Sequence, residues 1–267
     1  MPLYDVHAHL THDRLLPDVA GILERAARAG VTTIVSNGLN PADNEAVLEL
    51  ARCHGAVKPA LGLYPVDAVL ASMRQAGEDY PDQRETWSTD AAVGWVEEHV
   101  DQAFAIGEIG LDGYWVKEAF WPEQELAFRR LLELAIQTDK PVIIHTRKRE
   151  LRTLEMLEML SVKRVIWHCF GGKVALARDI AARGHYFSIP ANARRSEAFT
   201  RMLQILPRRQ ILLETDCPYL GPDKSRPNEP TNVTHTAAYA AELWGLDADE
   251  TNKQLEDNFV RFFGVAP

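Results

Sequence analysis

Short apolar runs rich in valine and isoleucine alternate along the chain with longer amphipathic stretches. Eight runs read as strands: Leu3–His7, Val31–Ser36, Val57–Tyr64, Ala103–Ile109, Pro141–His145, Arg164–His168, Tyr186–Ile189 and Gln210–Thr215. Segments near 17–29, 40–53, 91–101, 122–138, 149–160, 173–183 and 195–205 carry a helical period, and two more follow near 233–244 and 248–263. Strands alternating with helices predict βαβ units and a parallel sheet. Strands that are hydrophobic nearly throughout fit a sheet covered on both faces. Eight such units in 267 residues point to a closed barrel, whose usual length is about 250 residues. An open doubly wound sheet is the alternative, but no GxGxxG follows the first strand to support it. The expected fold is therefore α/β, a single (β/α)8 TIM barrel filling one domain over residues 1–267.

Helix punctuation agrees. Pro122 stands at the start of a helix with Glu123 and Glu125 in its first turn, where a fixed φ and negative charge are both favoured. Asn40-Pro41 and the run Asp247 to Asp249 read as further helix starts. Residues 66–90 are longer than a usual connection after a strand and are polar with scattered aromatics. They are expected either to decorate the surface or to act as a lid over the barrel mouth.

Composition narrows the class without choosing a function. Apolar residues make up 46% and charged residues 25% of the chain, the proportions of a folded globular protein rather than a disordered or fibrous one. The formal charge of −9 argues against a broad basic face for duplex nucleic acid, although a cleft can still grip a few phosphates. Cys53, Cys169 and Cys217 are odd in number and show no CxxC spacing. Together with an N-terminus that lacks a basic and apolar leader, they lead to the expectation of a reduced, cytoplasmic protein. No apolar run reaches the length of a membrane span, and no obligate protein partner is implied.

The strand ends carry the chemistry. In a parallel barrel the active site lies at the C-terminal ends of the strands, and there the chain places His7 and His9, Glu108, His145, His168 and Asp216. The period of two along a strand puts His7 and His9 on one side, so both can reach one ion. Each residue alone has a bland reading: a hydrogen-bonded core histidine, a turn aspartate, a surface ion pair. Six metal-competent side chains at the same end of their strands are better explained by a shared metal site. Six ligands exceed the needs of one tetrahedral zinc and suit two divalent ions, which can activate a water for hydrolysis of an ester, amide or phosphodiester. The donor set does not choose among zinc, manganese, magnesium and similar ions. His54, His99, His185 and His235 fall away from such positions and are expected to bind no metal, while His12, close to His9, is ambiguous.

The segments DVHAHL, AIGEIGLD, PVIIHTR, VIWHCFGG, LLETDCPYL, RPNEPTNV and DNFVRFF follow one another as do the motifs of the TatD family of metal-dependent hydrolases, and the chain resembles that family from about residue 4 to 263. The resemblance implies an amidohydrolase-like barrel and a divalent-metal-dependent deoxyribonuclease, with single-stranded DNA or a small phosphoester as substrate. It further implies that His7 and His9 hold one ion together with Asp216, that His145 and His168 hold the other, and that Glu108 bridges the two. Asp216 would also take the proton of the attacking water, so Asp216 and Glu108 are the expected catalytic pair. Substrate contacts are expected from Arg147, which stands where the family has an arginine after its histidine, from Tyr64, and from Asn228 and Glu229 beyond the eighth strand. The chain departs from the family after strand 3, where Tyr64 and Val66 occupy positions that are usually histidine, and at Thr11, where an aspartate is common. These changes border the substrate mouth. Hydrolysis of a non-nucleic-acid or aminoacyl ester or amide, and a non-catalytic metal-binding scaffold, are the alternative functions.

Overall fold

The computed structural model describes residues 1–78, 80–81 and 84–264. The eight strands are β1 (Leu3–Ala8), β2 (Val31–Asn37), β3 (Val57–Leu61), β4 (Ala105–Asp112), β5 (Val142–Arg147), β6 (Val165–Trp167), β7 (Tyr186–Ile189) and β8 (Ile211–Leu213). The helices are α1 (Val19–Arg28), α2 (Pro41–Cys53), α3 (Leu70–Gln75), α4 (Thr89–His99), α5 (Trp121–Gln137), α6 (Glu150–Met159), α7 (Val174–Ala182), α8 (Glu197–Ile205), α9 (Val233–Trp244) and α10 (Ala248–Phe263). The strands form one sheet in the order β1 to β8. After β8 the chain returns to the first strand, with Asp216 N–H donating to His7 O and His9 N–H to Cys217 O, both at 2.9 Å. Sequential parallel strands, each followed by helix, with the last beside the first, are the topology of a (β/α)8 barrel. Among the described residues no helix is long and apolar enough to cross a membrane.

The chain divides into two compact units, Met1–Ser36 with Leu50–Lys58 and Ile166–Pro267, and Asn37–Glu49 with Pro59–Val165. The first is organised around the C-terminal helix. α10 opens with a capping box in which Asp247 and Glu250 satisfy each other's backbone N–H groups. Its apolar face ends in aromatics: Phe259 stacks on Tyr4 with centroids 4.0 Å apart, and Phe262 meets Tyr186 at 4.9 Å. Each such ring contributes about 1.5–3 kcal/mol by leaving water. Asn258, on the same helix, donates to the carbonyls of Arg208 and Ile211 at 2.7 Å each and so fixes where β8 begins.

The second unit is built on β4 and β5, against which α5 buries Phe128, Leu131, Leu132 and Ala135. Two glycines allow the backbone to close up here. A Cβ on Gly62 would collide with the Gly107 and Glu108 backbone, and one on Gly110 (φ +148°) would collide with the His145 carbonyl. The buried Gln124 of α5 pins the end of β4, accepting from Asp112 N–H at 3.2 Å and donating to Pro65 O at 3.1 Å.

The excursion 66–90 is not a wholly solvated loop. It contains α3, and Val66, Asp67, Ala68, Val69, Leu70 and Met73 are buried. Arg84 pairs with Asp67 at 2.9 Å, and Thr89 Oγ1 donates to Ala68 O at 2.9 Å. Positions 79, 82 and 83 of the excursion lie outside the described residues.

Candidate functional site

In the first unit the period of two along β1 puts Asp5, His7 and, just past the strand end, His9 on one side. His7 Nε2 and His9 Nε2 face each other at 3.3 Å, and Asp216 Oδ1 lies 3.4 Å from His9 Nε2 and 3.7 Å from His7 Nε2. All three ligand atoms fall within 4.8 Å of one another. Ligands of a tetrahedral zinc at 2.0–2.1 Å stand about 3.3–3.4 Å apart, so these spacings fit one divalent ion. Asp216 adopts φ +54°, a left-handed conformation that costs an aspartate about 1–3 kcal/mol and is held by its surroundings. Burial opposes its ionisation, but the His9 hydrogen bond and the charges of His168 and His7 outweigh it and hold the carboxyl below the usual range.

Two buried carboxylates behind these ligands were not anticipated. Glu214 accepts from His168 Nδ1 at 2.9 Å, Cys169 N–H at 3.0 Å and Ser188 Oγ at 2.5 Å. A donated Nδ1 proton leaves Nε2 of His168 as the basic nitrogen, the arrangement in which a histidine ligates a metal. Asp5 accepts from His7 N–H at 3.2 Å, Thr215 N–H at 3.0 Å and Thr215 Oγ1 at 2.5 Å. Burial pushes its carboxyl up to about 8, with the Thr215 and His7 bonds opposing and Glu214 adding to the rise. The signal for both was the same period of two: Asp5 precedes His7, and Glu214 precedes Asp216, by two residues. The His168 ring also stacks on His7 at 3.6 Å between centroids.

In the second unit, His145 at the end of β5 is held at both ring nitrogens. Nδ1 faces Glu108 Oε1 at 2.9 Å and Nε2 faces Asp112 Oδ2 at 3.0 Å. Burial would lower the imidazole pKa, but the two carboxylates more than compensate and hold it up to about 9. Asp112 was also missed, although Glu108, Gly110 and Asp112 alternate along β4. Its Oδ1 accepts from Tyr114 N–H and Trp115 N–H at 2.7 Å each. The Tyr64 ring meets His145 edge to face at 5.0 Å, and burial, with Glu108 and Asp112 nearby, raises its hydroxyl pKa well above the ordinary value.

The residues expected to touch substrate have distinct environments. Arg147 is exposed and sits over the Tyr114 ring, Cζ to centroid 3.6 Å. Asn228 is buried, and its amide donates to Thr215 O at 2.8 Å and Tyr219 O at 2.7 Å while accepting from Glu229 N–H and Asn232. It orders the turn that carries Asp216. Glu229 pairs with Arg25 of α1 at 2.9 Å. His185 accepts from Trp167 Nε1 at 3.1 Å, His99 meets Trp95 O at 2.8 Å, and His12 meets Tyr219 Oη at 3.0 Å.

His7, His9, His168 and Asp216, with His168 backed by Glu214, offer the donor types of a divalent-metal site. The comparisons with known proteins agree. The model of the family described as TatD related DNase matches residues 4–264. The human deoxyribonuclease TATDN3 is 32% identical over 268 residues, covering 98% of this chain and 94% of that protein. A 3'-5' ssDNA/RNA exonuclease TatD from Citrobacter koseri is 28% identical, covering 99% of this chain and 100% of the relative. A TatD homolog from Escherichia coli K12 superposes with a TM-score of 0.83 at 25% identity, covering 98% of both chains. On this sequence, this fold and these ligand positions, the chain belongs to the TatD-related DNase family of metal-dependent hydrolases.

Proposed function

We propose that residues 1–267 act as one catalytic domain with a binuclear divalent-metal centre, and that this centre hydrolyses phosphodiester bonds of single-stranded DNA or of a small phosphoester. The observation that carries the proposal is the His7, His9 and Asp216 spacing, which matches the ligand separations of one ion. His145 and His168 would hold the second ion, with Glu108 between the two, and zinc, magnesium or manganese suits the set. The relatives' names support the substrate class. None of the three cysteines is in a disulfide, which supports the cytoplasm as the place of action.

Divalent ions, when bound, supply Lewis acidity at the phosphate and make water acidic enough to attack at neutral pH. The chain's own groups do the rest. Asp216, ionised and held at a fixed φ by the Asn228-ordered turn, accepts the proton of the attacking water at a carboxylate oxygen. Glu214 keeps the His168 proton on Nδ1, and Asp112 holds His145 at Nε2, so each imidazole stays oriented. Arg147 pairs with a non-bridging phosphate oxygen.

A fluorescent single strand incubated with Mg²⁺, Mn²⁺ or Zn²⁺ tests the proposal beside measurement of bound metal. We expect metal-dependent shortening of the strand and about two ions per chain, falling in His145→Ala. Asp216→Asn should lower kcat by about 10²–10⁴. No cleavage with any ion by the metal-loaded wild type would overturn the nuclease. A second reading, hydrolysis of a small ester or aminoacyl ester, is favoured by Tyr64, which packs against His145 where the family usually has a histidine. Cleavage of such esters without cleavage of the strand would select it.

A further inference from the structure

An acidic chain that handles a polyanion must hold it by something other than net charge. At the loop after β4 two large aromatics remain in solvent: Tyr114 is 53% and Trp115 37% exposed. Adjacent exposed aromatics are a surface feature that binding sites use. Their rings stand at 88° with centroids 5.0 Å apart, so they offer two separate faces rather than one. Arg147 Cζ sits over the Tyr114 ring, 3.6 Å from its centroid, and among the described residues its guanidinium makes no ion pair. Tyr80 meets the Trp115 ring at 86° with centroids 5.5 Å apart, which steadies the indole.

Hydrogen bonds pin the loop and tie it to the candidate ligands. Asp112 uses Oδ1 to hold Tyr114 N–H and Trp115 N–H, and Oδ2 to hold His145 Nε2. Gly113 N–H donates to Arg147 O at 2.7 Å. One carboxylate therefore sets both a candidate metal ligand and the aromatic loop.

We propose that Tyr114, Trp115 and Arg147 form a base-stacking platform for single-stranded nucleic acid. Resting on the nuclease reading, the inference specifies what holds the strand: bases, not only phosphates. One base stacks on the Trp115 ring, the next on the Arg147 guanidinium layered over Tyr114, and the arginine N–H groups reach the intervening phosphate. Aromatic rings and guanidinium planes both take any base, so the platform is indifferent to sequence. Two ring planes at right angles splay successive bases apart, which a duplex cannot follow.

The test measures fluorescence anisotropy of labelled oligothymidylate, and of an abasic tetrahydrofuran strand of equal length, with chelator-treated protein, so that no cleavage occurs. Wild type should bind the base-bearing strand about 5- to 100-fold more tightly than the abasic one. Trp115→Ala and Tyr114→Ala should each lose most of that ratio, with Trp115→Phe retaining it and thermal melts confirming that the variants fold. Arg147→Leu should weaken both strands. Equal binding of the two strands by wild type, binding of neither, or a ratio unchanged in Trp115→Ala and Tyr114→Ala would overturn the platform. Metal-dependent hydrolysis of bis(p-nitrophenyl) phosphate, which has no base, reports separately: it survives failure of the platform and disappears in wild type if the hydrolase reading is wrong.

Discussion

Replacing Glu214 by glutamine keeps shape and removes charge. The side chain is fully buried and accepts from His168 Nδ1, Cys169 N–H and Ser188 Oγ. A carboxamide oxygen can keep two of these donors, but its NH₂ must then face the third. With the oxygen toward His168 and Ser188, the amide confronts Cys169 N–H and leaves a buried donor unsatisfied, at about 1–3 kcal/mol. The two remaining bonds also lose their charge assistance, about 1 kcal/mol each, while removing a buried anion returns part of that through relieved desolvation. The net loss is about 2–3 kcal/mol, or about 5–10 °C in Tm. The same change makes the His168 ring less basic, and disturbing such a partner lowers metal affinity about 10- to 100-fold. Urea denaturation of chelator-treated protein measures the first effect, and competition with a chromophoric zinc chelator measures the second. Ser188→Ala is the control: it removes one donor, costs about 1 kcal/mol and leaves zinc affinity close to wild type. A folded Glu214→Gln protein with wild-type zinc affinity would refute the reasoning, as would an equal affinity loss in Ser188→Ala.

Three further outcomes follow from particular contacts. Burial holds the Asp67 carboxyl up to about 7 despite Arg84 and Asn40, so the folded state holds a proton that the unfolded chain releases near 4. That contribution to stability is present below about pH 4 and is lost as pH rises through about 7, and Asp67→Asn should flatten this part of the profile by about 2–4 kcal/mol in melts at pH 5 and 7.5. Gly110→Ala should cost several kcal/mol, since φ +148° and the His145 carbonyl both reject a Cβ, and a thermal melt within about 3 °C of wild type would contradict it. Asn228→Ala strips the donors from Thr215 O and Tyr219 O, so we expect a loss of about 2–4 kcal/mol and, in steady-state kinetics, a fall in kcat with little change in KM, because Asn228 acts through the turn bearing Asp216.

Much of this protein was written locally. The strand and helix order follows from hydrophobic period, because a covered parallel strand and an amphipathic helix must each bury apolar surface in a repeating pattern. The observed elements match the expected segments with shifts at their ends: β4 runs on to Asp112, whereas β6 stops at Trp167 and β8 at Leu213. Those ends are set by left-handed residues such as Cys169 (φ +42°) and Asp216, which hydrophobicity does not mark. α3 escaped notice because its few buried residues, Leu70 and Met73, are too short a run for a period to show among polar neighbours.

The candidate ligands could be named from the sequence because strand ends and side-chain alternation are local properties. Which groups hold those ligands in place was not. Asp5 meets Thr215, Glu214 meets His168 and Ser188, and Asn228 clamps the Thr215–Tyr219 turn only after the chain has brought distant segments together. Asn228 and Glu229 can be read from sequence as substrate contacts, whereas in the structure Asn228 is buried on the Thr215–Tyr219 turn and Glu229 pairs with Arg25. A buried polar group must find its partner wherever the fold supplies one, at any sequence distance. The sequence alone therefore determined the barrel topology and the candidate metal ligands; only the tertiary structure decided which groups orient those ligands and which carboxylates stand behind them, because those depend on burial and on contacts between residues far apart along the chain.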